Sequence, residues 1–129
     1  MSMTRREERI KAMQIIYTSD FNKITFDDAS KIIDDINFHV LDFVKLVSDN
    51  LEKIDSIISE SLVNYTMERL NLVDKAIIRL ATAELLSGTD KKIVINEALE
   101  ITKEYSDQGD HKAVSFNNKL LDNICKKLM

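Results

Sequence analysis

The sequence predicts an all-α protein of about seven helices without a β-sheet. Three observations support this prediction. Proline is absent, there are only two glycines, and apolar residues recur with a helical period along nearly the whole chain. A length of 129 residues fits a single compact domain that can bury a core of its own.

The first half of the chain contains four predicted helices. The first runs from about Thr4 to Ser19. Thr25 is a predicted N-cap because two aspartates follow it in the first turn, and a short helix is expected near residues 27–34. Two further segments, 36–50 and 51–65, place their aliphatic residues mostly on one face, which predicts a third and a fourth helix.

The second half of the chain contains three predicted helices. Asn71 is a suitable N-cap for the first of them, and Gly88 is suitable for its left-handed end. Because this segment is apolar almost all round, we expect it at the centre of the fold. Another helix is predicted over about residues 94–106, and the last from about Asp110 to Leu128.

Charge is distributed unevenly along a chain whose net charge is -4. Residues 1–17 contain four bases and two acids, whereas residues 18–74 contain five bases and twelve acids. A basic start suggests a phosphate-bearing partner, and an acidic middle suggests a basic protein partner. A solvated surface of mixed sign is the alternative for the acidic segment.

Three arginines at the start of the first helix, Arg5, Arg6 and Arg9, continue its apolar stripe on a helical wheel. Cations near a helix N-terminus cost roughly 0.3–1 kcal/mol each, so helix stability does not explain them. Arginine suits phosphate and stacks on bases, which favours contact with nucleic acid. Alternatively, the stems cover apolar surface while the guanidinium groups pair with Glu7, Glu8 or the acidic middle.

Catalytic and metal-binding patterns are not evident in the sequence. Glu84 is predicted to be buried, and we favour hydrogen bonds to backbone amides over acid–base chemistry, because no nucleophile or metal set accompanies it. His39 and His111 are far apart and Cys125 is the only cysteine, so we expect no metal site. We therefore predict a protein that is not an enzyme, has no cofactor, is cytoplasmic and does not associate with a membrane.

Four stretches, taken in order, resemble the NusB transcription antitermination factors. They are RREERIKAMQIIY, VDKAIIRLATAELL, IVINEALEITKEY and FNNKLLDNI. The resemblance implies two small helical bundles, here about residues 1–70 and 71–129. It also implies that the protein binds the single-stranded boxA element of nascent ribosomal RNA together with NusE, a small-subunit ribosomal protein. Through that complex it would act indirectly on the RNA polymerase elongation complex, which then resists termination.

The resemblance also implies roles for individual residues. Arg5, Arg6 and Arg9 match RNA-contacting positions, and Tyr17 and Asp74 match positions used toward NusE. The remaining matches lie in the last helix and the loop before it: Asp110 toward the partner, Lys112 toward RNA, and Phe116 and Asn118 in the core of that helix, with Asn118 as a buried polar residue like Glu84.

Two departures from the family pattern keep a second hypothesis open. Glu7 stands where many members have another arginine, and Lys119 replaces a glycine. The alternative is a non-catalytic protein-interaction module of the same fold with weak or no RNA binding. Because some family members pair with themselves and others do not, a homodimer also remains open.

Overall fold

The computed structural model describes residues 2–129, and over that range the chain forms seven α-helices and no β-strand. The predicted all-α class is therefore confirmed. A short 3₁₀ turn, Met67–Arg69, separates the fourth and fifth helices. The helices are α1 (Arg5–Asn22), α2 (Phe26–Ile32), α3 (Phe38–Asp49), α4 (Leu51–Ser61), α5 (Leu72–Leu86), α6 (Lys91–Tyr105) and α7 (Lys112–Leu128).

Several helices begin at a residue whose side chain caps the helix N-terminus, and the type of each capping residue is one that favours this position. The Thr25 and Asn71 side chains accept hydrogen bonds from the backbone N–H three residues on, which confirms both predicted caps. At α1, Thr4 and Glu7 form a reciprocal capping box, with donor–acceptor distances of 2.8 and 3.1 Å. Glu7 therefore has a local structural role, because it satisfies a backbone donor that a free helix end leaves unpaired.

The C-terminal end of α5 was predicted correctly from the sequence, whereas that of α1 was not. Gly88, which follows the C-cap Ser87 of α5, adopts φ +93°, as expected for a residue without a Cβ. Helix α1 continues three residues beyond the predicted Ser19, to Asn22, and its C-cap Lys23 adopts a left-handed φ of 55°. No glycine marks that position, so the sequence pattern alone did not locate it.

Helix α5 lies at the centre of the fold and packs against α1, α3, α4, α6 and α7. Its central position was predicted from the apolar residues around most of its circumference. One continuous core includes fully buried residues on both sides of residue 70, such as Ile16, Ile58, Ile78 and Leu121. The division into an N-terminal and a C-terminal bundle remains a prediction. Within residues 2–129, no helix is long and apolar enough to cross a lipid bilayer.

Candidate nucleic-acid interface

Arg9 lies inside the protein, between α1 and α5. Its Nε and Nη2 donate hydrogen bonds of 2.9 and 2.8 Å to the two carboxylate oxygens of Glu84, and only 7% of its side chain is exposed. The hydrogen bonds from Arg9 to Glu84 are the main reason that the pKa of Arg9 is raised. The guanidinium of Arg9 is thus buried and paired with Glu84, which favours a structural role for this arginine over the expected contact with RNA.

Glu84 is buried, but its partner differs from the one expected. The sequence favoured backbone amides at a neighbouring helix start, whereas the structure pairs Glu84 with the Arg9 side chain. Two parallel N–H···O bonds between a guanidinium and a carboxylate are among the stronger polar contacts in proteins. The pair joins the second turn of α1 to the last turns of α5.

Arg6 lies at the surface and is held by α6. Its Nε and Nη2 donate hydrogen bonds of 2.9 and 2.8 Å to the Glu97 carboxylate, and 45% of its side chain is exposed. The hydrogen bond from Arg6 lowers the pKa of Glu97, although partial burial of the carboxylate opposes that change. At neutral pH the two groups therefore remain a charged pair, while Nη1 of Arg6 has no hydrogen bond within residues 2–129.

Arg5 lies on the other side of α1, against α3. Its Nη1 donates a 3.1 Å hydrogen bond to Glu8, and its guanidinium carbon lies 4.2 Å from the centre of the Phe43 ring. The second Glu8 oxygen accepts a 3.0 Å hydrogen bond from Asn37. Burial acts to raise the pKa of Glu8, but the hydrogen bonds from Asn37 and Arg5 outweigh it and the pKa is lowered. More than half of the Arg5 side chain, 56%, remains exposed.

Arg5 and Arg6 border a shallow concavity at the start of α1, with Thr4, Thr89 and Ile93 along its lining. We call these five residues the arginine surface. Each of the two guanidinium groups is fixed by one carboxylate and keeps outward N–H donors, since arginine has five. Such pre-oriented cations suit the phosphates of a nucleic-acid strand.

Asp110 and Lys112 are both exposed, in the loop between α6 and α7 and at the first position of α7. The Asp110 carboxylate accepts a 3.1 Å hydrogen bond from the Lys112 backbone N–H. Glu97, which holds Arg6, lies eight residues before the end of α6 at Tyr105, about 12 Å along the helix axis. Lys112 is thus separated from the arginine surface, and no hydrogen bond or ion pair of the described residues joins them.

Tyr17 lies half-buried on α1 and stacks on Phe21, with the ring centres 5.7 Å apart. Phe21 is 60% exposed. We call these two residues the aromatic pair. Asp20, between them in sequence, lies 3.5 Å from Arg79 and 3.9 Å from Lys75. The aromatic pair is thus an apolar surface at the end of α1, with charged side chains beside it.

Asp74 lies in the interior, with 7% of the residue exposed. One carboxylate oxygen accepts hydrogen bonds from Ser106 Oγ at 2.7 Å and Asn117 Nδ2 at 3.0 Å. The other accepts a 2.8 Å hydrogen bond from Asn71. Asp74 thus ties the start of α5 to the end of α6 and to α7, which favours an indirect role in the expected contact with a protein partner.

The buried polar residue of α7 is Asn117, and the prediction that placed Asn118 there is wrong. Asn118 is exposed, whereas Asn117 is fully buried. The Asn117 amide also donates a 3.1 Å hydrogen bond to Thr102. A shift of one residue rotates a side chain by about 100° around the helix, which is enough to exchange an inward for an outward position.

A sequence model of the NusB family matches residues 6–126. The chain belongs to the NusB family. It is 38% identical to the transcription antitermination protein NusB of Clostridium botulinum over 136 aligned residues, which cover 97% of this chain and all of that protein. The family predicted from the four sequence stretches is thereby confirmed.

Two solved structures share the NusB fold with this chain. T. maritima NusB superposes with a TM-score of 0.86 at 29% identity, over 98% of this chain and 94% of that one. A structure of the antitermination factors NusB and NusE in complex with dsRNA superposes with a TM-score of 0.79 at 26% identity, over 97% and 99%. The predicted all-α NusB fold is thus confirmed by experimental structures.

The sequence analysis did not single out Glu97, which pairs with Arg6, or Phe21 and Asn117. A signal existed for Phe21, because it lies four residues after Tyr17 and therefore on the same helix face. No comparable signal separated Asn117 from Asn118, which are identical neighbours. Their difference depends on which side of α7 faces Thr102 and Asp74.

Proposed function

We propose that this NusB family member is a transcription antitermination factor that binds boxA-like RNA together with NusE. The observation that carries the proposal is the arginine surface, where Arg5 and Arg6 are fixed in place but remain about half exposed. In this role the protein acts by binding, without catalysis or a cofactor. The proposed location is the cytoplasm, because the similar NusB proteins of bacteria act in transcription.

On the RNA side, Arg5 and Arg6 supply the first contacts to the strand. Their outward donors reach phosphates, while sequence selection comes from bases that are not stacked on their neighbours. Lys112 adds a contact further along α6 and α7 and is not needed for the first contacts. Arg9 contributes indirectly, because its pair with Glu84 holds the second turn of α1 against α5.

On the protein side, the aromatic pair and Asp110 are the proposed contacts to NusE. Aromatic residues that are exposed in the free protein and buried in a complex often dominate binding energy. The acidic segment, residues 18–74, has twelve acids against five bases and suits a basic ribosomal protein. Asp74 supports this surface from inside by fixing the end of α6 through Ser106.

Fluorescence anisotropy of a labelled boxA-like RNA tests the proposal directly. A scrambled RNA and a duplex of the same sequence serve as controls, and each RNA is titrated with and without NusE. The duplex is included because the solved structure of NusB with NusE contains dsRNA. We expect binding to the boxA-like single strand that is tighter than to the scrambled strand and is strengthened by NusE. Equal binding to all RNAs would contradict sequence-selective recognition.

The second candidate function is a protein-interaction module without RNA binding. One observation favours this function. Arg5 and Arg6 pair with Glu8 and Glu97, and these ion pairs are a structural explanation for the two arginines. NusE binding in the absence of any RNA binding would select this function.

Replacing Glu97 with glutamine is expected to strengthen RNA binding by a factor of roughly two to five. The substitution keeps the side-chain shape but removes the negative charge that competes with phosphate for Arg6. The anisotropy titration measures this change. Glu104→Gln is the matched control, since it removes the same charge from the same helix and Glu104 influences Arg6 less. Weaker RNA binding by Glu97→Gln would mean that Glu97 orients Arg6 productively.

Replacing Phe21 with alanine is expected to weaken NusE binding by roughly tenfold or more, because the ring is an exposed aromatic contact. Calorimetric titration of NusE into the protein measures the effect. Val63→Ala removes another exposed apolar side chain, from the segment that follows α4, and is the control. If both variants bind NusE alike, the aromatic pair is not part of the NusE surface.

A further inference from the structure

Phe38, the first residue of α3, has an aromatic ring that is almost completely exposed. Its exposed fraction is 84%, the highest of any large apolar side chain within residues 2–128. The core contacts of α3 come from other positions, including Phe43 and Val47. The ring therefore contributes little to the folded core and is accessible to a binding partner.

Two hydrogen bonds connect Arg5, through Glu8, to Asn37, the residue before Phe38. Glu8 accepts a hydrogen bond from Arg5 with one oxygen and from Asn37 with the other, at 3.1 and 3.0 Å. Asn37 is also fixed as the N-cap of α3, because its side-chain oxygen accepts a 3.0 Å hydrogen bond from the Val40 backbone N–H. Phe38 follows Asn37 directly, so the Cα atoms of these two residues are about 3.8 Å apart. Asn37 is itself held in place by Glu8, the carboxylate that pairs with Arg5.

We propose that Phe38 is a stacking platform for an unstacked base of the single-stranded RNA whose phosphate contacts Arg5. The proposal rests on the function proposed above. An exposed ring next to an arginine is the combination that single-strand binding proteins use, with the ring under the base and the guanidinium at the backbone. The Phe38 ring would extend the arginine surface from α1 to the start of α3.

The charges near Phe38 determine which part of the RNA it can contact. Asp34, Asp35 and Asp42 are all at least partly exposed, and residues 34–42 contain no lysine or arginine. Asp42 lies four positions after Phe38 and therefore on the same helix face. Phosphates are repelled from this stretch, whereas the uncharged face of a base is not. The strand would thus place its phosphate toward Arg5 and its base over Phe38.

A tryptophan introduced at position 38 provides the test, because the natural chain contains none. In the Phe38→Trp protein, stacking of a base should quench the tryptophan fluorescence on titration with boxA-like single-stranded RNA in the presence of tryptophan-free NusE. The quenching should follow the same binding curve as RNA anisotropy. A duplex of the same sequence should not quench it, because its bases are already stacked.

Affinity measurements on two further variants separate stacking from simple apolar contact. Phe38→Leu and Phe38→Ala should each weaken RNA binding at least about fivefold, whereas Phe38→Trp should retain it. Val63→Ala, which removes an exposed apolar side chain from the segment that follows α4, should leave RNA binding unchanged. Since Phe38 is outside the core, circular dichroism should show unchanged folding in all variants.

Three results would overturn the proposal. If RNA binds but the introduced tryptophan is not quenched and Phe38→Ala binds normally, the base-stacking site is excluded while the RNA-binding function stands. If the introduced tryptophan responds to NusE alone and not to RNA, the ring is a protein contact. If the natural protein binds no RNA even with NusE, the proposed function and this inference fail together.

Discussion

Replacing Glu84 with alanine is expected to lower the free energy of unfolding by about 3–5 kcal/mol, the largest effect of any single substitution considered for this protein. The variant removes the carboxylate that accepts both hydrogen bonds of the buried Arg9 guanidinium, and only Glu97, at 4.0 Å, remains close to it. Arginine cannot lose its charge to escape that penalty. Urea unfolding followed by circular dichroism measures the change. The melting temperature should fall by roughly 10–20 °C.

Two comparisons identify the buried charge as the cause. The double substitution of Arg9→Met and Glu84→Leu should recover most of the lost stability, because both charges leave the interior together. Asp49→Ala breaks an exposed ion pair with Lys45 and should change stability little. Similar unfolding curves for Glu84→Ala and Asp49→Ala would show that the Arg9–Glu84 pair does not stabilise the fold.

Replacing both Arg5 and Arg6 with alanine is expected to weaken binding of boxA-like RNA by about 100-fold, about tenfold for each lost charge-assisted contact. Both side chains are half exposed and outside the core, so the variant should remain folded. Anisotropy titrations with and without NusE measure the effect on RNA. NusE binding should persist, because its proposed contacts lie elsewhere on the molecule.

The matched control for that variant is the double substitution of Lys126 and Lys127 with alanine. It removes the same charge from the last turn of α7, where both lysines already pair with acidic side chains. A purely nonspecific attraction between RNA and positive charge would make the two double variants equally weak. We expect the lysine variant to bind boxA-like RNA nearly as well as the natural protein.

Much of the fold could be predicted because its signals are local. Thr25, Asn71 and Gly88 act within one turn of the backbone, so the sequence around each is sufficient to locate a helix end. The period of apolar residues likewise identified α5 as central. Lys23 was missed because a left-handed residue other than glycine has no such local signal.

The candidate site was harder to predict because its contacts join distant parts of the chain. Arg9 and Glu84 are 75 residues apart, and Arg6 and Glu97 are 91 apart. The wheel placed Arg9 on the apolar stripe, but it could not show that the core reaches the second turn of α1. Position on a helix face was therefore readable from the sequence, whereas the identity of the opposing residue was not.

The salt dependence of RNA binding tests the central claim most directly. In the presence of NusE, log affinity for single-stranded boxA-like RNA should fall linearly with log salt concentration. Each phosphate contact contributes about 0.7 to the slope, so the Arg5→Ala, Arg6→Ala double variant should have a slope shallower by about 1.4. An unchanged slope would mean that Arg5 and Arg6 do not contact phosphates, and the arginine surface would then not be the RNA-binding site.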